Sequence, residues 1–335
     1  MFYTACEKFI FADADKYRFI GRTDESFEGG VPISWSNSGL TFGFCGDRAV
    51  LHFGEYLSDQ PVYVKVFADN MTQRFCLDGK SPKILLDFDE ETAHTVKLLR
   101  VSEGNTPLVF YEACVYGKAP ALLPPPVEKT LRIEFMGDSI TAGYGVTAPR
   151  SQNVYTTYEQ DSTRAYAYMT AERLNAEVCT VCISGQGVWR NCNGDVGFRF
   201  ESIFDMCVRG KTGYDHSRWQ PDIMVLNCGT NDVPGGATPE IMYEEGGKLL
   251  DQVRAAYPNA QIVWMYGMMN DKFSETLAKL IDDKKAAGDA KLHYFPVSSI
   301  YSHDDEVGAV GHPNVNASVR VSEELAGFLA GIVTV

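Results

Sequence analysis

A chain of 335 residues is long enough for two domains, and its composition of 45% hydrophobic and 22% charged residues is typical of a globular protein. The formal net charge of −14 repels phosphate backbones and anionic lipids, which excludes nucleic acid and membranes as partners and favours a neutral or cationic ligand. No apolar run approaches the roughly 18 residues of a membrane span. The N-terminus lacks the pattern of a signal peptide, so we expect a cytoplasmic protein; the sequence leaves oligomerisation open.

The first third of the chain contains many short segments typical of β-strands. They lie between roughly residues 30 and 117 and are separated by turn-like segments such as Gly46–Arg48, with no convincing helix between them. Short strands at close spacing favour an antiparallel β-sandwich, which we predict over residues 1–118. Residues 119–129 include three consecutive prolines, Pro124–Pro126, and predict a stiff linker.

Residues 130–335 alternate between strand-like and helix-like segments. Asp161 is the predicted N-cap of one helix, and Thr238 followed by Pro239 is the predicted start of another. Repeated βα units indicate an α/β fold, a three-layer α/β/α domain with a parallel sheet. In such sheets the functional site lies at the carboxyl ends of the strands.

The nine cysteines are scattered and mostly flanked by apolar residues, which favours buried free thiols. Cys179 and Cys182 form a CxxC motif, but in a strand their side chains point to opposite faces. A zinc site also requires further ligands at suitable spacing. We therefore predict no metal site.

Three of the predicted strands end in unusual polar loops. Ser139 follows the first of them, Gly185 lies in a glycine-rich loop after the second, and Asn231 follows the third, while His312 precedes the last helix. A hydroxyl, an imidazole, accessible backbone amides and a carboxamide donor are the groups that acyl transfer requires. The imidazole takes the hydroxyl proton during attack. The amides of Ser139 and Gly185 and the side chain of Asn231 are the predicted donors to the oxyanion.

Each of these residues also has an ordinary structural explanation. Ser139 could cap a helix, and His312 could be a structural histidine before a helix. Asn231 could be a turn residue, and Gly185 could serve close packing. The joint pattern is much harder to explain in this way than any single residue.

Four short motifs resemble the conserved blocks of the SGNH (GDSL-type) hydrolases. They are GDSIT at 137–141, SGQG at 184–187, GTND at 229–232 and GHPN at 311–314. The resemblance implies that Ser139 is the nucleophile, that His312 is its base and that no cofactor is needed. It assigns Gly185 and Asn231 to the oxyanion hole.

The β-rich first part and the proline-rich segment look more specifically like carbohydrate esterase family 2. That resemblance implies a jelly-roll-like first domain and the removal of acetyl groups from xylan, glucomannan and related plant-type glycans through an acyl-enzyme. An acetylated oligo- or polysaccharide is therefore the expected partner. Trp189, next to the oxyanion loop, and Met268, at a strand end, are the predicted substrate contacts.

The sequence departs from the superfamily at one position. These enzymes usually carry Asp three residues before the catalytic His, and here that residue is Ala309. Either one of the acids Asp304, Asp305 and Glu306 folds back to the imidazole, or a backbone carbonyl holds it. We expect the carbonyl, and hence a Ser–His dyad.

Two other functions remain open on the sequence alone. A lipid or thioester hydrolase of the same superfamily would need an apolar acyl channel, and the first domain gives it no evident purpose. A non-catalytic glycan-binding protein would have no reason to retain both Ser139 and His312.

Overall fold

The computed structural model describes residues 15–24, 26–56 and 58–333. The chain forms two compact units, one made of Met1–Glu128 with Cys207–Arg209 and the other of Lys129–Met206 with Gly210–Val335. Within the described residues, no helix is both long and apolar enough to cross a membrane.

The first unit is built on one antiparallel sheet of eight strands. Its strands are β1 (Arg18–Ile20), β2 (Val31–Ile33), β3 (Gly39–Phe53), β4 (Val62–Ala68), β5 (Met71–Leu77), β6 (Lys83–Arg100), β7 (Leu108–Tyr116) and β8 (Ala121–Leu123). The strand order is β2-β7-β3-β6-β4-β5, and β1 and β8 both pair with β3. The predicted antiparallel architecture is confirmed, whereas the jelly-roll topology stays a prediction.

Alternation of buried and more exposed residues places the core on one face of these strands. In β4 every second residue is buried, as the side-chain period of a strand requires. The buried side chains of β3, β4, β6 and β7 meet in one cluster that includes Phe42, Phe44, Val64, Leu98 and Phe110. Burial of this apolar surface is what holds the unit together.

The turn predicted at Gly46–Arg48 is wrong. Strands β3 and β6 are single strands of 15 and 18 residues, and their register shifts between Gly46 and Arg48. The pairing of the two strands is interrupted at these residues, but neither strand ends there.

A short strand lies inside the predicted linker 119–129. Ala121–Leu123 form β8, which pairs with Gly43–Cys45 of β3, and the first unit extends to Glu128. Strand pairing is available here because Ala121–Leu123 lie between Pro120 and Pro124 and keep their backbone amides.

The second unit contains a parallel sheet of five strands. Its strands are β9 (Arg132–Gly137), β10 (Glu177–Cys182), β13 (Ile223–Asn227), β14 (Gln261–Tyr266) and β15 (Leu292–Pro296); β11 (Met206–Val208) and β12 (Lys211–Thr212) are short strands between β10 and β13 in the chain. The order is β10-β9-β13-β14-β15. All of β13 and nearly all of β9 are buried, as expected for a parallel sheet covered on both faces.

Helices connect these strands. They are α1 (Ser139–Ala142), α2 (Tyr166–Arg173), α3 (Phe200–Phe204), α4 (Pro239–Ala256), α5 (Ser274–Ala286) and α6 (Val315–Ile332). The chain passes from β9 to β10, which is its neighbour on one side. The later strands β13, β14 and β15 are added in turn on the other side of β9. Right-handed connections then place α2 on the face opposite to α4 and α5. In agreement, α2 packs against α6, and α4 packs against α5.

The helix starts were predicted with mixed success. Thr238 caps α4, accepting a hydrogen bond from the Ile241 amide at 3.3 Å, and Pro239 is its first residue. Asp161 instead caps a short 3₁₀ turn, Ser162–Arg164. The extended backbone of Ala165 separates that turn from α2, so the helix begins four residues later than predicted.

Cysteine side chains occupy more varied environments than predicted. Free, buried thiols are found at Cys179, Cys182, Cys207 and Cys228, whereas Cys76 and Cys192 are free and exposed. Cys114 is disulfide-bonded, so the prediction of free thiols is wrong for that residue.

Candidate active site

The nucleophile candidate Ser139 lies on a tight turn at the end of β9. A Cβ atom on Gly137 would lie 2.1 Å from the Oγ1 atom of Thr141, so only glycine lets the chain turn directly into α1. The Asp138 carboxylate caps this turn by accepting a hydrogen bond from the Ile140 amide at 3.0 Å. Ser139 is the first helical residue, where a backbone amide has no partner within the helix.

His312 lies against this serine although 173 residues separate them in the chain. Its Nε2 atom is 2.9 Å from Ser139 Oγ, and its Nδ1 atom is 3.1 Å from the Val310 carbonyl oxygen. The carbonyl can only accept, so Nδ1 carries the proton and Nε2 is the basic nitrogen facing the hydroxyl.

The Val310 carbonyl reaches the imidazole because of an unusual backbone conformation. Val310 has φ 52° and ψ 30°, the left-handed region that β-branched residues rarely adopt, at a cost of about 1–2 kcal/mol. Surrounding hydrogen bonds hold it there. The Val310 amide donates to Gln152 O at 3.1 Å, the Gly308 amide to His312 O at 2.7 Å, and the Tyr301 hydroxyl to Gly311 O at 2.8 Å.

The acids upstream of His312 are engaged elsewhere or exposed. Glu306 is buried and forms a two-bond ion pair with Arg320, at 2.6 and 2.7 Å. The Asp305 carboxylate accepts from the Asn316 side chain at 3.1 Å, and Asp304 is exposed. The hydrogen-bond partner of Nδ1 is therefore a main-chain atom and none of these carboxylates.

Asn231 links the nucleophile turn to the glycine-rich loop. Its side-chain nitrogen donates to Asp138 Oδ2 at 3.0 Å and to Gln186 O at 2.8 Å. Gly185 precedes Gln186 and has φ 83°, a conformation that suits glycine. The structure thus brings the predicted oxyanion donors to one edge of the sheet, with both amide hydrogens of Asn231 already engaged.

Asp232 holds the chain that follows this loop. Its fully buried carboxylate accepts hydrogen bonds from the backbone amides of Val188, Trp189 and Arg190, at 2.7–3.1 Å. Burial raises the pKa of the Asp232 carboxyl, and these three amides oppose that shift. These contacts give Asp232 a structural role.

The imidazole is suited to act as a base at neutral pH. Burial lowers the His312 pKa from the ordinary value of 6.5, and the Val310 carbonyl partly opposes that shift. A neutral imidazole bonded to a serine hydroxyl can accept its proton while the oxygen attacks a carbonyl carbon.

The two predicted substrate contacts differ in exposure. Trp189 is half-buried, and the guanidinium of Arg190 lies 4.2 Å from the centre of its ring. Met268 is only 2% exposed, so the structure does not support a substrate contact there. Trp264, inside β14, is likewise fully buried.

The sequence reasoning missed two aromatic residues beside the base. The ring centres of Tyr144 and His312 are 4.5 Å apart, and Tyr155 stacks on Tyr144 at 3.7 Å. Tyr144 lies five residues after Ser139 and three after the end of the first motif, and this position was the available signal.

Comparison with known proteins agrees with this arrangement. Residues 135–315 match the GDSL-like Lipase/Acylhydrolase family, and residues 19–126 match the family described as Carbohydrate esterase 2 N-terminal. The Cellulase/esterase CelE of Acetivibrio thermocellus is 26% identical over 319 residues, 91% of this chain. The chain spans only 38% of the length of that protein.

Two further relatives cover nearly the whole chain. An acetylxylan esterase / glucomannan deacetylase of Cellvibrio japonicus is 24% identical over 332 residues, which are 96% of this chain and 90% of that protein. The structure of a family two carbohydrate esterase from Clostridium thermocellum, solved with cellohexaose, superimposes with a TM-score of 0.87 at 24% identity, covering 95% of this chain and 100% of that one. This likeness establishes the fold of both units.

Because His312 is bonded to a main-chain atom of Val310, we expect position 310 to tolerate side-chain substitutions that keep the local backbone conformation. Val310→Gly keeps the carbonyl and the left-handed backbone, so kcat for p-nitrophenyl acetate should stay within about threefold of wild type. Val310→Pro fixes φ near −65° and removes the amide bonded to Gln152, so kcat should fall by at least about tenfold. Steady-state kinetics on the folded variants measures both effects.

The acids provide the control for that prediction. Asp304→Asn, Asp305→Asn and Glu306→Gln should each keep kcat within about tenfold, a barrier change of about 1.4 kcal/mol. Glu306→Gln should also lower the melting temperature, because Arg320 loses its buried partner. A several-hundredfold loss of kcat in one folded acid variant would show that a carboxylate is the third catalytic member.

Asn231→Ala should lower kcat about 100-fold and change KM by less than about threefold, because an oxyanion donor acts mainly in the transition state. Kinetics with p-nitrophenyl acetate separates the two constants. Asn193→Ala, at an exposed asparagine of the segment after Arg190, is the matched control and should be neutral. A rise in KM alone would instead make Asn231 a ground-state substrate contact.

Proposed function

We propose that this chain, which belongs to the GDSL-like lipase/acylhydrolase family and carries a carbohydrate esterase 2 N-terminal domain, is a serine esterase that deacetylates O-acetylated sugars. The observation that carries the proposal is the hydrogen bond of 2.9 Å between Ser139 Oγ and His312 Nε2 at the carboxyl end of the parallel sheet. Ser139 is the nucleophile and His312 the general base.

Acylation follows from this geometry. The Ser139 oxygen attacks the acetyl carbonyl carbon while its proton moves to His312 Nε2, and the carbonyl electron pair moves onto the oxygen. When the tetrahedral intermediate collapses, the C=O bond reforms and the bond to the sugar oxygen breaks. The imidazolium returns its proton to the departing sugar hydroxyl, leaving an acetyl-enzyme.

Deacylation repeats the same steps with water. His312 takes a proton from the water as it attacks the acetyl carbon, and then protonates Ser139 Oγ as acetate leaves. Each step uses groups of the chain and the solvent alone. The Val310 carbonyl fixes the proton on Nδ1 throughout, so the tautomer of the base is set before the substrate arrives.

The oxyanion hole is formed by the amides of Ser139 and Gly185 and by the Asn231 side chain. Both hydrogens of the Asn231 amide bond to Asp138 and Gln186 in the structure, so an oxyanion shares one of them. Such sharing strengthens as negative charge develops on the substrate oxygen, which favours the transition state over the ground state.

Glycans of the plant type, such as xylan and glucomannan or their oligosaccharides, are the substrate class that we propose. The proposal is supported by the names of the relatives, an acetylxylan esterase / glucomannan deacetylase and a family two carbohydrate esterase solved with cellohexaose. A neutral glycan also suits a chain with a net charge of −14. Trp189 offers a partly exposed ring for a sugar face. The cytoplasmic location and the state of oligomerisation stay predictions from the sequence.

The decisive experiment is acetate release from acetylated xylan, glucomannan and cello-oligosaccharides, followed by NMR. Ser139→Ala and His312→Ala should each abolish release while the protein stays folded, and the double variant should be little worse than either single one, because the pair acts as a unit. Ser151→Ala and His303→Ala, at positions outside the site, are the matched controls.

Three outcomes would contradict the proposal. Retention of more than about a tenth of wild-type turnover in a folded Ser139→Ala variant would remove the nucleophile assignment. Faster turnover of p-nitrophenyl octanoate than of the acetate would indicate a lipid hydrolase. Tight glycan binding without turnover of any ester would indicate a binding protein.

The lowered pKa of His312 predicts the pH dependence. Only the neutral imidazole can accept the serine proton, and activity is lost as pH falls through the pKa of the base. Because burial lowers that pKa, the acidic limb of kcat/KM should have its midpoint below 6.5. The measurement uses p-nitrophenyl acetate, which does not titrate in this range, with circular dichroism at each pH to verify folding. A midpoint above 6.5 would indicate a carboxylate beside the imidazole.

A further inference from the structure

Three rings form a run beside the catalytic pair. The ring centres of His312 and Tyr144 are 4.5 Å apart at an interplanar angle of 36°, and those of Tyr144 and Tyr155 are 3.7 Å apart at 14°. We call His312, Tyr144 and Tyr155 the aromatic column. Tyr144 and Tyr155 are both half-buried, so the column lies at the margin of the site.

The column is tied to the turn that carries the nucleophile. The Tyr144 amide donates to the Ser139 carbonyl oxygen at 3.0 Å. The Tyr155 hydroxyl donates to Gln160 Oε1, and the buried Gln160 side chain donates to the Ala142 carbonyl at 2.8 Å. Both tyrosines are therefore fixed to α1, and the position of the Tyr144 ring follows that of Ser139.

The hydrogen bonds of His312 leave one motion of its ring weakly restrained. A hydrogen bond to a ring nitrogen is directed along the ring plane, so the bonds to Ser139 Oγ and to the Val310 carbonyl resist displacement of the ring within its plane. Rotation of the ring about the line between these two partners changes neither distance much. Contact with the face of Tyr144 opposes this rotation.

The contact between the His312 and Tyr144 rings also has an electrostatic effect. When His312 accepts the serine proton it becomes a cation whose partner at Nδ1 is a carbonyl dipole without net charge. An aromatic face carries a negative potential and attracts a cation within about 6 Å of its centre. The Tyr144 ring meets that condition.

We propose that Tyr144 is a positioning residue of this esterase, which holds the plane of the His312 imidazole and stabilises the imidazolium formed during catalysis. The inference rests on the proposed function for its kinetic consequence. Its electrostatic part concerns the His312–Tyr144 contact alone and can be tested without any substrate.

The first experiment is an NMR titration of the His312 ring protons in the full-length protein, assigned by their absence in His312→Ala. In Tyr144→Leu, which keeps the apolar bulk, the His312 pKa should fall by about 0.5 to 1 pH unit, because the cation loses its aromatic face. Tyr144→Phe keeps the face and should titrate close to wild type. The imidazole contacts the Ser139 hydroxyl, the Val310 carbonyl and the Tyr144 ring. The Tyr301 phenol lies nearby and donates a hydrogen bond to the carbonyl of Gly311, the residue before His312.

The second experiment measures kcat and KM for p-nitrophenyl acetate. Tyr144→Leu should lower kcat by about tenfold or more with KM nearly unchanged, since the contact acts on the base and not on the ester. Tyr144→Phe should recover kcat to within about threefold of wild type. Tyr158→Leu, at an exposed tyrosine of the same segment as Tyr155, is the matched control and should be neutral.

The outcomes separate this inference from the proposed function. If the wild type cleaves no ester, the proposed function fails, while the titration still tests the ring contact. An unchanged His312 pKa and unchanged kcat in Tyr144→Leu would overturn the inference even in an active esterase. Equal losses in Tyr144→Phe and Tyr144→Leu would overturn it in favour of the hydroxyl. If Tyr144→Leu does not fold, Tyr144→Phe and Tyr144→Trp provide the test. A retained or wider aromatic face should keep or raise the His312 pKa, whereas a residue that acts only through packing should not have this effect.

Discussion

The imidazole of His312 is held between a serine hydroxyl and a main-chain carbonyl, and the rest of the site is arranged around this contact. The carbonyl points at Nδ1 only while Val310 keeps its left-handed backbone conformation, which is unfavourable for valine in an isolated chain. The hydrogen bond that the Val310 amide donates to Gln152 O, and those donated by the Gly308 amide and the Tyr301 hydroxyl, maintain it. Backbone strain of this kind persists only where the surrounding structure determines the conformation. The base is thus oriented by the packing of several loops, and no single ion pair does so.

Two buried carboxylates lie beside a site that has to stabilise a negative charge. Uncompensated, they would oppose the oxyanion strongly in a medium of low dielectric constant. Asp232 is surrounded by three backbone amides, and Asp138 by the Ile140 amide and the Asn231 side chain. Both therefore act as acceptors that order N–H groups along the edge of the sheet. Asn231 connects this ordering to the proposed reaction, because its nitrogen bonds to Asp138 and Gln186 and is also the proposed donor to the oxyanion.

The sequence was most informative where local rules and topology coincide. Ser139, Gly185 and Asn231 follow three buried strands, and the carboxyl ends of parallel strands necessarily share one edge, so their proximity could be predicted. Long-range geometry was beyond such rules. The left-handed conformation of Val310 depends on contacts with loops distant in sequence, and nothing in the residue type indicates it. Met268 was misjudged because a strand end specifies the edge of the sheet and not the direction of a side chain. The register shift after Gly46 was taken for a turn because glycine and short polar residues are common at both.

A main-chain acceptor also changes how such a site can be lost in evolution. A catalytic carboxylate disappears with a single codon change, whereas every amino acid carries a carbonyl group. Position 310 can therefore drift among residues that accept the local backbone without removing the hydrogen bond to His312. The vulnerable positions are instead those that shape the loop, where an insertion, a deletion or a proline would turn the carbonyl away. Sequence comparison within the family should accordingly find constraint on the length of this loop and far less on the identity of the residue that supplies the oxygen.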